Sequence, residues 1–397
     1  MMFDKITMAP ADPILGLTEK FKADQRAEKV NLGVGVYKNE QGNTPILKTV
    51  KKVEALLVEN ESTKSYLGIP GSAEYGQAVR RLILGNDSAI IKDHRAQTAQ
   101  APGGTGALRV AAEFAKRQLG AKTIWVSNPT WANHHNVFAS AGLNIEEYTY
   151  YNWDKMALDF DAMLKDLEKA QEGDIILFHA CCHNPTGADP KLEEWKQLAA
   201  LCKEKKLLPL FDFAYQGFAH GIDEDAAGLR YFTTQVDELL IASSFSKNFG
   251  LYNERVGAFT LIGQTQESAD KAFSQVKRII RSIYSNPPAH GAAIVTQVLN
   301  DPELFAQWNN EVNEMRDRIK QMRELFVKTL KDIGVKKNFD YIIDQNGMFS
   351  FSGLNKDQVE RLKTEFGIYI VGSGRISVAG MTKDNIPVLC NAMKAVL

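Results

Sequence analysis

The stretch DIILFHACCHNPTGADPKLEEWKQLAALCKEKKLLPLFDFAY, residues 174–215, decides the fold. It opens with an apolar run, DIILFHA (174–180), and passes a turn-rich loop into the amphipathic segment LEEWKQLAALCKEK (192–205). A second apolar run, LLPLFDFAY (207–215), follows at once. Short apolar runs bounded by turn residues and separated by helical patterns predict parallel strands buried on both faces. The same rhythm extends outward, to TIWVS (123–127) upstream and LLIASSFS (239–246) downstream. The chain is therefore expected to be α/β, with a mostly parallel sheet flanked by helices.

Bulk properties agree with an ordinary globular protein. At 397 residues the chain can bury a sizeable core in two or three domains. A net charge of −1 offers no basic footprint for nucleic acid or an anionic membrane. No apolar run reaches the length of a membrane span, and the amino end, MMFDKITMAPADPILGL, lacks the pattern of a signal peptide. The cysteines Cys181, Cys182, Cys202 and Cys390 show neither metal-ligand spacing nor a disulfide framework. A reducing, cytoplasmic compartment and no metal are expected.

Beyond Tyr284 the character changes. SNPPAHG (285–291) is a breaker cluster that ends one helix and starts another. From Pro302 to about Gly334, apolar residues at Leu304, Trp308, Val312, Met315, Ile319, Met322, Phe326 and Leu330 predict one long amphipathic helix, about 302–334. YIIDQ, MFSFSG and RISVAG then read as strands of a small α+β domain with a closing helix. The expected organisation is an amino-terminal segment, 1–44, packed on the small domain or on a partner. A large domain, 45–310, follows, and then a small domain, 311–397.

Ligands of open parallel sheets bind at the carboxyl ends of the strands, so the residues there carry the function. After TAQAP (98–102), Gly103, Gly104, Thr105 and Gly106 open a helix, a place where backbone N–H groups and the helix dipole favour an anion. This is neither a Walker loop, since no lysine follows, nor a dinucleotide fingerprint, since Arg109 replaces the third glycine. HNPTG places Asn184 after the second strand; His183 beside it reads as structural. Asp212 sits inside an apolar run, where an unpaired carboxylate costs several kcal/mol. Tyr215 follows on the same edge, and Trp131, after TIWVS, offers a flat apolar surface.

SSFSKNFGLYNERVG (243–257) supplies Ser244, Ser246, Lys247 and Arg255. Lone lysines are usually solvated, but this one ends a buried strand among small hydroxyl residues. The parts fit one ligand. Gly103 to Thr105 with Ser244 and Arg255 form an anion cup, and Trp131 is a stacking ring. Asp212 suits a protonated ring nitrogen, Asn184 and Tyr215 a ring oxygen, and Lys247 a Schiff base. That is the inventory for pyridoxal 5'-phosphate.

With these residues in order, the chain resembles the class I, fold type I aminotransferases, and among them the bacterial aspartate and aromatic amino acid type. The resemblance runs nearly end to end through ADPILGL, NLGVGVYKNE, YLGIPG, GGTGALR, HNPTG, DFAYQGF, SSFSKNFGLYNERVGA, YSNPPAHG, NGMFSFSG and Gly374–Arg375. It implies a pyridoxal-phosphate fold type I, with Lys247 as the Schiff-base lysine and proton shuttle. Asp212 would hold the pyridine nitrogen and Asn184 and Tyr215 the ring oxygen, with Trp131 stacked on the ring. Gly103, Gly104, Thr105, Ser244, Ser246 and Arg255 would hold the phosphate, joined by Tyr66 of a neighbouring subunit. The substrate α-carboxylate would go to Arg375, beside Gly35, Trp131 and Asn184. The distal carboxylate of a dicarboxylic substrate would go to Arg281 of the neighbour.

The implied unit is a homodimer with shared sites, acting on amino acids and 2-oxo acids. The implied reaction moves the amino group of L-aspartate to 2-oxoglutarate by a ping-pong mechanism, with side activity on aromatic amino acids. Ser65 stands where aspartate-specific members carry Asn, and Gly103 where animal enzymes carry Ser; the first loosens substrate choice. An enzyme acting mainly on aromatic substrates, or a pyridoxal-dependent lyase or decarboxylase, shares the fold and remains an alternative. Two arginines for two carboxylates favour transamination.

Overall fold

The apolar runs assemble into one seven-stranded sheet. From edge to edge its strands are Ala96–Pro102, Val256–Ile262, Leu239–Ser244, Leu208–Phe213, Ile175–His179, Thr123–Asn128 and Asn144–Thr149. All neighbouring pairs are parallel except those of Val256–Ile262, which runs against both neighbours. The computed structural model describes residues 1–9 and 14–397; residues 10–13, including the start of ADPILGL, lie outside the described residues.

Side chains from both faces of the sheet meet helices; on one face Phe178 and Phe211 pack against Trp195 and Phe232. Ile124, Val126, Leu177, Leu240, Ala242 and Phe259 pack with Leu108, Ala111 and Ala115 of the helix Gly103–Gln118 and with Val276 and Ile280 of the helix Gln266–Ile283. Each fully buried aliphatic or Phe side chain contributes about 1.5–3 kcal/mol. That rigid base fixes the strand ends on which the candidate site stands.

Two compact units divide the chain. The large unit comprises Thr44–Arg318 and Gln345–Gly347 and holds the sheet; the small unit comprises Met1–Asn43, Ile319–Asp344 and Met348–Leu397. The long helix spans Pro302–Asp332. In the small unit Val30–Asn31 pairs with Ile368–Tyr369, and Phe349–Phe351 pairs with Arg375–Ser377. Lys356–Phe366 and Asn385–Val396 supply its later helices.

Two local expectations differ. YIIDQ is not a strand: Tyr341–Asp344 forms a helical turn. A five-residue run is too short for apolar periodicity to separate the two states, and Ile342 is buried in the helical turn. The second difference is the strand Val256–Ile262, which is not among the expected runs. It returns antiparallel because the loop 245–255 carries no crossover helix, which a parallel return needs. Among the described residues, no helix is long and apolar enough to cross a membrane.

Candidate active site

Lys247 stands three residues past the end of the strand Leu239–Ser244, and Asp212 lies near the end of Leu208–Phe213. Asn184 follows Ile175–His179, Trp131 follows Thr123–Asn128, and Gly103 follows Ala96–Pro102. The structure thus gathers these residues at one edge of the sheet, at the carboxyl ends of parallel strands. The Lys247 Nζ sits 4.7 Å from the centroid of the Tyr215 ring. Burial lowers its pKa to about 8; Asp212 opposes that shift and Arg255 adds to it. The shift brings the amine far closer to neutral pH than an ordinary lysine, so a minor but usable share is unprotonated there, as a nucleophile or a base requires.

The Asp212 side chain is 14% exposed, and its Oδ2 lies 3.1 Å from the His134 Nε2. Burial by itself raises its pKa. The His134 hydrogen bond, with the charges of His134, His179 and Lys247, outweighs burial and holds the carboxyl below its ordinary value. Asp212 is therefore a persistent carboxylate in a water-poor place. It can keep a cationic ring nitrogen protonated.

Behind Asp212 runs a chain of rings that the sequence did not disclose. His134 is fully buried and shares a 2.8 Å hydrogen bond with the Thr130 hydroxyl through Nδ1. His179 lies with its Nε2 3.4 Å from the same hydroxyl, and its Nδ1 accepts from the Asn184 N–H at 3.1 Å. Burial, aided by His134, pushes the His179 pKa down to about 3, against the pull of Asp212. His183 stacks on His179 at 4.2 Å and on Tyr150 at 3.7 Å, and bonds to Ser127 and Thr186. Burial first, then the neighbouring His179 and His134, hold His183 well below its ordinary pKa, so it is neutral and structural. His134, His179 and Asp212 bring ligand atoms within 4.8 Å of one another, but Asp212 and His134 are already joined to each other. The one local clue to His134 is its place three residues after Trp131, against whose ring it packs edge-on at 5.2 Å.

The anion cup is built by close approach. Gly103 has φ +71°, and a Cβ there would collide with the Arg255 guanidinium. Glycine at this point lets the backbone pass beneath the cation as the helix Gly103–Gln118 begins, with Gly104 and Thr105 in its first turn. The Arg255 Nη1 donates to the Tyr252 carbonyl at 2.9 Å and to the Ser246 Oγ at 3.4 Å; the Ser244 Oγ donates to the Ser246 Oγ at 3.2 Å. A phosphate group suits this set of donors.

In the small unit Arg375 is 5% exposed. Its Nη2 donates to the Gly33 carbonyl at 2.6 Å, and its guanidinium lies 4.2 Å over the Phe349 ring. Gly35 comes so near that a Cβ would fall 2.6 Å from the Phe349 Cζ. Arg375, Phe349 and Gly35 therefore form one cluster, with the cation held in place by a carbonyl and a ring face.

Tyr66 and Arg281 do not join the strand-end group. Tyr66 is 93% exposed. Arg281 is also exposed, near the end of the helix Gln266–Ile283, with its Nη1 on the Ser285 Oγ. The Asn286 Nδ2 donates to the Leu67 carbonyl at 2.9 Å and ties the two segments into one arm. Ser65 is exposed beside Tyr66.

Comparison with known proteins places this geometry in a wider setting. The family pattern described as aminotransferase class I and II matches residues 27–393. The aspartate aminotransferase of Escherichia coli is 59% identical over 396 residues, covering 100% of both chains. The aromatic-amino-acid aminotransferase of Pseudomonas aeruginosa is 45% identical, covering 99% of this chain and 98% of its own. Among solved structures, the aromatic-amino-acid aminotransferase of Burkholderia pseudomallei, covalently bound to pyridoxal phosphate, superposes with a TM-score of 0.98. It is 47% identical and covers 100% of both chains.

Proposed function

Since the chain belongs to the class I and II aminotransferases, we propose that it moves the amino group of L-aspartate to 2-oxoglutarate, giving oxaloacetate and L-glutamate. Pyridoxal 5'-phosphate is its cofactor. Aromatic amino acids are taken as side substrates; the relationship to aromatic-amino-acid aminotransferases supports this breadth. The observation that carries the reading is Lys247, an amine with its pKa lowered to about 8 over the Tyr215 ring, at the same sheet edge as the ionised Asp212.

The residues present fit the cofactor. The glycine at 103 and the Arg255 guanidinium leave room and charge for its phosphate, Asp212 for its ring nitrogen, and Lys247 for its aldehyde. Trp131 would cover the ring, and Asn184 and Tyr215 would serve its oxygen. When bound, the pyridoxal group supplies an electron sink for the charge left at the substrate Cα. Lys247, as a neutral amine, would take the proton from the substrate Cα and, as the ammonium, would give that proton back from the same face, ending each half-reaction as the neutral amine. Asp212, steadied by His134, keeps the ring nitrogen's proton in place. Arg375 takes the substrate α-carboxylate, which it can grip through two parallel N–H donors. The amino group stays with the enzyme until 2-oxoglutarate removes it, which makes the kinetics ping-pong.

Tyr66 and Arg281 are assigned to the site of a second copy, Tyr66 to the phosphate and Arg281 to the distal carboxylate. Their joint exposure on one arm supports a two-fold homodimer with shared sites. Four buried cysteines, none joined by a disulfide, suit a reducing compartment and support a cytoplasmic location. The test of the whole reading is product analysis with a panel of amino acids and 2-oxoglutarate. Oxaloacetate and glutamate should form in equal amounts from aspartate. Carbon dioxide or ammonia as the main product would replace this reading with a decarboxylase or lyase.

A further inference from the structure

Gln100 lies on the strand Ala96–Pro102, just before the anion cup, and the mechanism above makes no use of it. It is buried, and three bonds leave it in two directions. Its backbone N–H donates to the Pro70 carbonyl at 2.9 Å. Its backbone carbonyl accepts from the Tyr284 hydroxyl at 3.1 Å, and its Nε2 donates to the Pro288 carbonyl at 2.6 Å. One residue therefore binds the loop 66–71 and the segment 284–288 together. The Gly71 backbone passes close to the carboxamide: at φ +83°, a Cβ there would fall 2.8 Å from the Gln100 Cβ and Oε1 and 3.5 Å from the Pro287 Cγ.

We infer that Gln100 is a positioning residue that locks the Tyr66 loop and the Arg281 turn to the strand leading into the anion cup, and so sets where Arg281 meets the distal carboxylate of a dicarboxylic ligand. The inference rests on the assignment of Arg281 given above. Arg281 reaches the lock through its bond to Ser285, which lies between Tyr284 and Asn286. Prolines at 70, 287 and 288 bring no N–H of their own, so these segments depend on donors from elsewhere. The lock also joins this chain's own cup strand to the arm assigned to the second copy's site.

The test uses the cofactor-loaded protein and two variants. Gln100→Glu keeps the shape but sets an acceptor against the Pro288 carbonyl; Gln100→Met keeps the length without polar atoms. Succinate, a dicarboxylate with no amino group to react, is titrated by calorimetry against 3-phenylpropionate, which lacks the second carboxylate. Succinate binding, and kcat/KM for aspartate, should weaken on the order of ten- to a hundredfold, the scale of a binding group displaced by about an ångström. Binding of 3-phenylpropionate and kcat/KM for phenylalanine should change far less. Equal losses on both ligands, or none, would overturn the inference. So would failure of both variants to fold, since Gln100 would then be a folding determinant. Arg281→Leu, run in parallel, separates the two ideas. If it spares succinate binding, the assignment of Arg281 falls. If it removes the preference for succinate while both Gln100 variants keep it, only the Gln100 inference falls.

Discussion

Lys247 and Asp212 sit at strand ends inside the large unit, where burial and neighbouring charges set their protonation. Tyr66 and Arg281 belong to the same unit, yet stand on an arm open to solvent, held by backbone carbonyls and one hydroxyl. The difference teaches a division of labour. Groups that move protons need a dry, rigid surround that shifts their pKa values. Groups that select a side chain need only be aimed, and on the proposed assignment Tyr66 and Arg281 are aimed at the site of a second copy. Changes at the strand ends should strike the chemistry for every substrate; changes on the arm should sort one substrate from another.

The largest effect is expected at Lys247. Lys247→Ala removes both the covalent attachment and the proton shuttle, so turnover on every amino acid should fall at least about 10⁴-fold. The cofactor should still bind, held by the cup and Asp212. Borohydride reduction followed by peptide mapping checks the attachment in the parent protein. A label on any lysine other than Lys247 would move the centre elsewhere and end the comparison.

Asp212 comes next. Asp212→Ala leaves a cationic ring nitrogen in a buried place without its partner, a loss of about 3–5 kcal/mol. That corresponds to a fall of roughly a hundredfold to several thousandfold in kcat on aspartate and phenylalanine alike. His134→Phe should give a smaller loss of the same kind, because it weakens the hold on Asp212 and leaves the carboxylate in place. Near-normal rates in Asp212→Ala would mean that the carboxylate is structural.

The sequence made the strand-end group legible because its residues are tied to local signals. Asp212 interrupts an apolar run, Lys247 ends one, and Gly103 to Gly106 open a helix pattern. Long alternation of strand and helix made the sheet legible for the same reason. What escaped reading depends on contacts between distant segments. His134 reaches Asp212 across 78 positions, and Gln100 reaches Pro288 across 188. Neither has a periodicity or a motif of its own. YIIDQ failed for lack of length, and the antiparallel strand was missed because an apolar run carries no direction. The roles of Tyr66 and Arg281 came from family resemblance alone, since nothing in a loop tyrosine or a helix-end arginine marks it as serving another chain.

The arm is the place to sharpen the comparison. Arg281→Leu removes a charge-assisted pair worth about 1.5–3 kcal/mol, so kcat/KM for aspartate should drop on the order of ten- to a hundredfold. Phenylalanine, with no distal carboxylate, should be nearly unaffected. A mixture of Lys247→Ala and Arg281→Leu chains should regain aspartate activity, because one site of each hybrid then has both residues intact. Absence of recovery despite measured chain exchange would return Arg281 to its own chain's site.

The smallest effect is one of stability, and it tests the electrostatic half of the comparison without any chemistry. In the cofactor-free protein, folding carries the Lys247 amine from an ordinary value of 10.5 to about 8. Below about pH 8 both folded and unfolded chains hold the proton, and the folded chain bears the full cost of burying the charge. Between about 8 and 10.5 the unfolded chain binds more protons, so this contribution to stability rises with pH. Above that range neither form is charged there and the cost is gone. Lys247→Met should therefore melt a few degrees above the parent at pH 7, with the gap closing as the pH approaches 10. Arg281→Met is the matched control on the arm. An exposed arginine bears no such burial cost, so its substitution should move the melting point little at any pH. A Lys247→Met gap that is absent at pH 7, or unchanged up to pH 10, would show that burial does not set the protonation of Lys247, and the two regions would no longer differ in the way proposed.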